Sequence, residues 1–151
     1  MKYKQKYQEI IDELIKKSFP ELSKAKAFEL KFTKVYATYI PFFNLVGINK
    51  LCRKFPEKEI RGILVHELCH AELCKSYGFL RTFFLYATYW IMPSVRKKEE
   101  DKTDELVIRK GYVKDLILST DRLGKEYPEC KDKTYMSSEK VKAYAKRIGK
   151  W

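Results

Sequence analysis

The amino-acid sequence predicts an α+β domain in which an N-terminal helix and a small twisted sheet of three or four strands precede a run of helices. Three observations carry this. Apolar residues recur at helical spacing in the first 18 positions, β-branched and aromatic residues crowd positions 27–51, and helical periodicity returns from Pro56 onward. A chain of 151 residues with 15% aromatics is long enough to bury a sizeable core in one domain.

Tyr7, Ile10, Ile11, Leu14 and Ile15 place one apolar stripe on a helix over residues 3–18, which Pro20 ends. Phe28, Leu30 and Phe32, followed by Val35, Tyr36, Thr38, Tyr39 and Ile40, alternate in part and read as two strands, with Pro41 as the interruption. Residues 45–51 form a third candidate strand, joined to the next helix by a short basic loop. An edge strand running beside that helix would offer its free backbone N–H and C=O groups to an extended peptide.

Pro56-Glu57-Lys58-Glu59 opens this helix, since proline suits the first helical position and acids in the first turn complement the dipole. Ile60, Ile63, Leu64, Leu68, Ala71 and Leu73 continue it, and Gly78 marks its stop. The uncharged run over residues 82–93 is shorter than the roughly 18 apolar residues of a membrane helix and ends at a proline. It is expected to form a core helix or a cleft wall rather than a membrane contact. Residues 95–110 read as a helix capped by Gly111, residues 113–119 as a short helix, and residues 121–135, with Gly124 and Pro128, as a polar loop. Ser137-Ser138-Glu139 starts a last basic helix, with Val141, Tyr144, Ala145 and Ile148 on its apolar side. The expected division is a domain over residues 1–121 and a basic C-terminal tail over 122–151 that packs on it.

The net charge of +12 is spread out: +4 over residues 1–34, +3 over 35–93, zero over 94–121 and +5 over 122–151. Lysines outnumber arginines 25 to 7, whereas recognition of bases and phosphates favours the planar guanidinium. The simpler reading is a solvated, heat-adapted surface, with non-specific nucleic-acid contact as a minor expectation. Met1-Lys2-Tyr3-Lys4-Gln5-Lys6 lacks the apolar stretch of a signal peptide, so a cytoplasmic protein with no membrane span is expected. Cys52, Cys69, Cys74 and Cys130 form no C-x-x-C pair and are expected to stay reduced. Cys69 reads as a small buried hydrophobe, and Cys130 is the one cysteine to test as a zinc thiolate.

Chemistry enters with His66-Glu67-Leu68-Cys69-His70, which reads H-E-x-x-H and holds the only two histidines of the chain. Chance places this pattern in on the order of 1 in 200 chains of this length, and here it also falls inside a helix. Positions i and i+4 lie about 40° apart on a helix, so both rings can face one point. That suits two ligands of a tetrahedral zinc, with Glu67 beside the metal as a base for a zinc-activated water. Gly62, one turn ahead of His66, is expected to leave room above the metal.

A hydrolytic zinc usually keeps three protein ligands. With no third histidine, a carboxylate must serve, and Glu99, Glu100, Asp101, Asp104 and Glu105 all lie on the helix over 95–110. With Glu100 at 0°, Asp104 falls near 40°, Val107 near −20° and Thr103 near −60°, while Lys102, Glu105 and Arg109 lie opposite, each about 100° per residue. Glu100 is therefore expected as the third ligand, and Asp104 as acceptor of the free ring N–H of a coordinating histidine. Glu99 is the chief rival, Glu72 a poor one, and an ordinary charged helix the plain alternative.

Val65-His66-Glu67-Leu68-Cys69-His70-Ala71, preceded by Gly47-Ile48-Asn49-Lys50-Leu51 and followed by Glu100-Asp101-Lys102-Thr103-Asp104, resembles the gluzincin metallopeptidases and, in its short length, the minigluzincins. The resemblance covers roughly residues 5–112. It implies a zincin-like fold with an N-terminal helix, a sheet whose edge strand lies on the cleft, an active-site helix and a glutamate helix. It further implies one zinc per chain, peptide or protein substrates, and hydrolysis with Glu67 as general base. Residues 79–93 and the tail after 121 have no counterpart in that pattern; either is expected to cover the cleft and keep the protein latent. Two alternatives stand beside it. One is an SprT-like protease acting on DNA-bound proteins, whose H-E-x-C-H-A phrase is close but which uses a third histidine. The other is a zinc-stabilised binding module that hydrolyses nothing.

Overall fold

The computed structural model describes residues 2–22, 25–31, 35–126 and 134–151. Helix α1 spans Lys2–Ser18 and buries Tyr7, Ile10, Ile11, Leu14 and Ile15. Strands β1 (Lys26–Leu30), β2 (Ala37–Ile40) and β3 (Leu45–Asn49) form one sheet in the order β1-β3-β2. Five helices follow: α2 (Glu57–Tyr77), α3 (Phe79–Tyr89), α4 (Pro93–Arg109), α5 (Val113–Glu126) and α6 (Ser138–Arg147). The fold is thus α+β. Phe32 of the first expected strand, together with Cys130 and residues 127–133 of the expected loop over 121–135, lies outside the described residues.

β3 runs parallel to β1 and antiparallel to β2. It is the central strand, not the edge beside α2, and the burial of its last four residues explains why. The edge toward α2 is β2, whose burial alternates as a strand with one covered face should. At the other edge, the Gln8 side chain accepts from the Ala27 N–H at 2.8 Å and donates to the Ala25 carbonyl at 3.1 Å, covering backbone groups of β1 that no strand reaches.

α2 passes through the middle of the molecule, buried without interruption from Gly62 to Cys69. A helix enclosed on all sides lacks a solvated stripe. α5 crosses it closely at Gly62, where a Cβ would stand 2.1 Å from the Asp115 carbonyl oxygen. The space expected above a metal is therefore filled by the backbone of α5. α4 ends in a Schellman turn: Gly111 adopts φ +88°, its N–H donates to Ile108 O at 3.0 Å, and that of Tyr112 to Val107 O at 3.2 Å. This turn sends the chain back as α5.

α5 runs on to Glu126, past the expected end of the short helix and across the 121/122 boundary, despite Gly124. Arg122 donates to both Glu59 carboxylate oxygens at 2.7 and 3.2 Å and so pins the extra turns to the start of α2. α6, capped by Ser137, buries Val141, Tyr144 and Ala145 in the same core as α2 and α4. Tyr144 Oη accepts from Arg109 at 2.8 Å and donates to Glu105 at 3.0 Å. The end of the chain is part of the packing of α4.

Alanine at position 62 gains up to about 1 kcal/mol of helix propensity. A Cβ driven into a backbone oxygen costs more than that. Gly62→Ala should lower the unfolding free energy by about 1–3 kcal/mol, as overpacking does, in a denaturant titration; unchanged stability would mean that α2 and α5 can separate freely.

Candidate metal centre

α2 and α4 lie side by side, and each presents two groups one turn apart. His66 Nε2 lies 2.9 Å from Glu100 Oε2 and 3.1 Å from His70 Nε2, and His70 Nε2 lies 3.5 Å from Glu100 Oε2. Ligands held at about 2.0–2.1 Å around a tetrahedral ion stand about 3.3 Å from each other. The triangle of donor atoms fits one face of that polyhedron. Glu100 is 1% exposed, so its carboxylate has no access to bulk water as an alternative partner.

The ring protons are accounted for by the surroundings. Asp104 Oδ1 accepts from His66 Nδ1 at 2.9 Å, and Asp104 Oδ2 accepts from the Met136 N–H at 2.9 Å. Thr103 Oγ1 donates to the Glu99 carbonyl at 2.8 Å, which leaves its oxygen to accept from His70 Nδ1 at 3.1 Å. In their neutral form both imidazoles therefore carry the proton on Nδ1. Their Nε2 lone pairs face one another and a carboxylate oxygen in a buried space. Three electron pairs so close together repel unless a positive charge lies among them.

A metal ion or a proton on His66 can supply that charge. Burial works to lower the pKa of His66, but hydrogen bonds to Asp104 and Glu100 outweigh it and hold the pKa well above the usual imidazole value. Burial would raise Glu100, yet His70 and His66 hold it well below the usual carboxylate range. The donor set of two imidazole nitrogens and one carboxylate oxygen can hold a metal ion.

Glu67 is buried next to this group, and burial pushes its pKa up against the opposing pull of His70 and His66. It shares with His70 and Glu100 a cavity of ≈ 60 Å³ that Thr38 and Tyr39 of β2, Tyr86 and Tyr89 of α3, and Tyr135 also line. Tyr89 donates to Glu100 Oε1. Tyr86 donates to the Tyr39 carbonyl at 2.7 Å. The Tyr135 ring meets that of His66 edge to face at 5.7 Å.

The rival residues are engaged elsewhere. Glu99 accepts from Tyr77 at 2.9 Å and pairs with Lys102, and Glu72 pairs with Lys110 at 2.7 Å. Cys52, Cys69 and Cys74 stand outside the donor group; burial pushes their thiols up, Cys52 to about 12, Cys74 to about 11 and Cys69 well above the usual range. Sequence reasoning did not single out Thr103, although its angle on α4 put it on the Glu100 face. Tyr86, Tyr89, Tyr135 and the Met136 N–H gave no local signal, because tertiary packing alone brings them to the site. Compared with known proteins, the chain matches no family model, no curated protein and no solved structure.

Replacing the Thr103 hydroxyl removes the acceptor for His70 Nδ1. Thr103→Val should weaken divalent-ion affinity about 10-fold or more, measured by competition with a chromophoric chelator. In the folded protein Cys52 and Cys69 should stay unreactive toward a thiol reagent at neutral pH and become reactive on unfolding.

Proposed function

We propose that the protein is a zinc-dependent metallopeptidase held in a latent form. The observation that carries this reading is Glu67, a buried carboxylate facing the same cavity as a three-donor metal site. A bound zinc ion would supply a Lewis acid that lowers the pKa of water and polarises a carbonyl. His66, His70 and Glu100 would hold it, while Asp104 and Thr103 fix the ring tautomers and orientations. Glu67 takes a proton from the attacking water and passes it to the leaving amine. Its raised pKa suits a group that must both accept and give up a proton.

Support for a peptide substrate comes from β2. The Tyr36 carbonyl accepts from the Asn49 N–H at 2.7 Å, so alternate residues of β2 face β3, and Tyr39 turns its backbone groups the other way, toward the cleft. An extended peptide pairing there would cross Glu67. Support for latency comes from the same place. Tyr86 takes the Tyr39 carbonyl, a backbone hydrogen bond joins Tyr39 to Glu67, and a cavity of ≈ 60 Å³ has no room for a peptide. Both segments expected as covers line this cavity, with Tyr86 and Tyr89 from 79–93 and Tyr135 from the tail.

The burial of His66 and Glu100 also favours a second reading, a metal centre that only stabilises the fold, since structural zinc sites are closed. Removal of the tail would expose the core around Val141 and Ala145, so it is a poor test of latency. Tyr86→Phe is cleaner, because it deletes one hydroxyl and frees the Tyr39 carbonyl. On a quenched fluorescent peptide library, Tyr86→Phe should cleave faster than the wild type. Adding Glu67→Gln should lower that rate about 10²–10⁴-fold, as loss of a general base does, with the metal retained. Metal-loaded variants that all remain inert would move the assignment to the structural centre.

A further inference from the structure

α3 is inverted for a surface helix. With Thr82 at 0°, its inward side holds Leu85 near −60°, Tyr89 near −20° and Tyr86 near 40°, and its outward side holds Phe83 near 100°, Leu80 near 160° and Phe84 near −160°, at about 100° per residue, with Ile91 in the turn just past its end. From Phe83 round to Phe84 the outward positions are apolar, with Thr88 near −120° and Arg81 near −100° on one flank, and Leu80, Phe84 and Ile91 are 71%, 65% and 79% exposed. The inward side, which lines the cleft, carries the hydroxyls. Phe42 extends the patch, its ring 5.3 Å from that of Phe79. A contiguous apolar face of this kind marks a binding surface rather than scattered surface hydrophobes.

Charge says what it binds. Between Glu72 and Glu99 there is no acid, while Lys75, Arg81, Arg96, Lys97 and Lys98 fall in that stretch, Lys97 being paired with Asp101. Lys75 borders the same groove as Phe42 and Phe79, with Glu21 as its one acid, and Arg81 lies on the flank of α3. A two-fold dimer through this patch would set these cations against their own copies. An apolar helix face flanked by Arg81, with Lys75 on the neighbouring groove and Trp90 half-exposed at its end, instead complements a lipid surface that is apolar within and anionic at its headgroups. No helix among the described residues is long and apolar enough to cross a membrane, which leaves lying on the surface as the mode of contact.

We propose that α3 seats the protein on anionic lipid bilayers, with Leu80, Phe83, Phe84 and Ile91 entering the headgroup boundary. The inference rests on the outer face of α3 and stands apart from the chemistry of the metal centre. Its inner face lines the cleft, so seating would place the cleft beside the bilayer.

The test uses the full chain with Trp151→Phe, which leaves Trp90 as the sole tryptophan. Vesicles of phosphatidylcholine, alone or mixed with phosphatidylglycerol, are titrated in, with co-sedimentation and tryptophan emission as readouts. The expected result is binding to the mixed vesicles, a blue shift of Trp90 emission, and weakening by salt. Leu80→Ser/Phe84→Ser/Ile91→Ser, at exposed positions that leave the fold intact by circular dichroism, should lose partitioning at least about tenfold, given the apolar area removed. Equal binding by the triple variant, equal binding to pure phosphatidylcholine, or absence of an emission shift would overturn the proposal. So would self-association, seen by sedimentation velocity, that the triple substitution abolishes in a protein that ignores vesicles.

Discussion

Three lone pairs meet in the interior of this protein, and the architecture is arranged around that meeting. Two imidazole nitrogens and a carboxylate oxygen stand 2.9 to 3.5 Å apart, with each ring proton already committed on the far side. A buried arrangement of this kind is costly without a cation. Asp104 and Thr103 commit the ring protons, and the backbone N–H of Met136 in turn orients Asp104. The segment before α6 thereby reaches a site whose ligands come from α2 and α4.

Rigid elements make this possible. α2 is enclosed along its whole middle, α5 presses against it at Gly62, and a Schellman turn at Gly111 fixes the angle between α4 and α5. α3 joins α2 to α4 and has two faces with separate duties. Its tyrosines line the cavity that also holds Glu67 and Glu100, while its phenylalanines and Leu80, with Ile91 just past its end, turn to solvent. On the far side of the cleft stands β2, an edge strand on which the outward carbonyl of Tyr39 is taken by Tyr86.

Much of the local structure was legible because it is written in short-range chemistry. Helical spacing, Pro56, Gly78, Gly111 and Ser137 mark real helix ends. Two histidines four residues apart, and Glu100 and Asp104 four apart on an apolar face, announce groups that a pair of helices can bring together. What failed to show was non-local. The order of strands depends on which one the core covers, and β3 proved central. Gly62 serves helix packing because α5 crosses there, a contact that no pattern near position 62 encodes. The continuation of α5 past Gly124 depends on Arg122 finding Glu59, 63 residues away. The tyrosines around Glu67 come from three separate segments and carry no spacing at all.

The central claim is that His66, His70 and Glu100 hold one metal ion together. Its most direct test is metal content per chain, by inductively coupled plasma mass spectrometry, for the wild type and Glu100→Gln purified alike without chelator. The account predicts one zinc per wild-type chain and a clear loss in the variant. A wild type that takes up no metal even after reconstitution, or a variant that keeps its full complement, would contradict it.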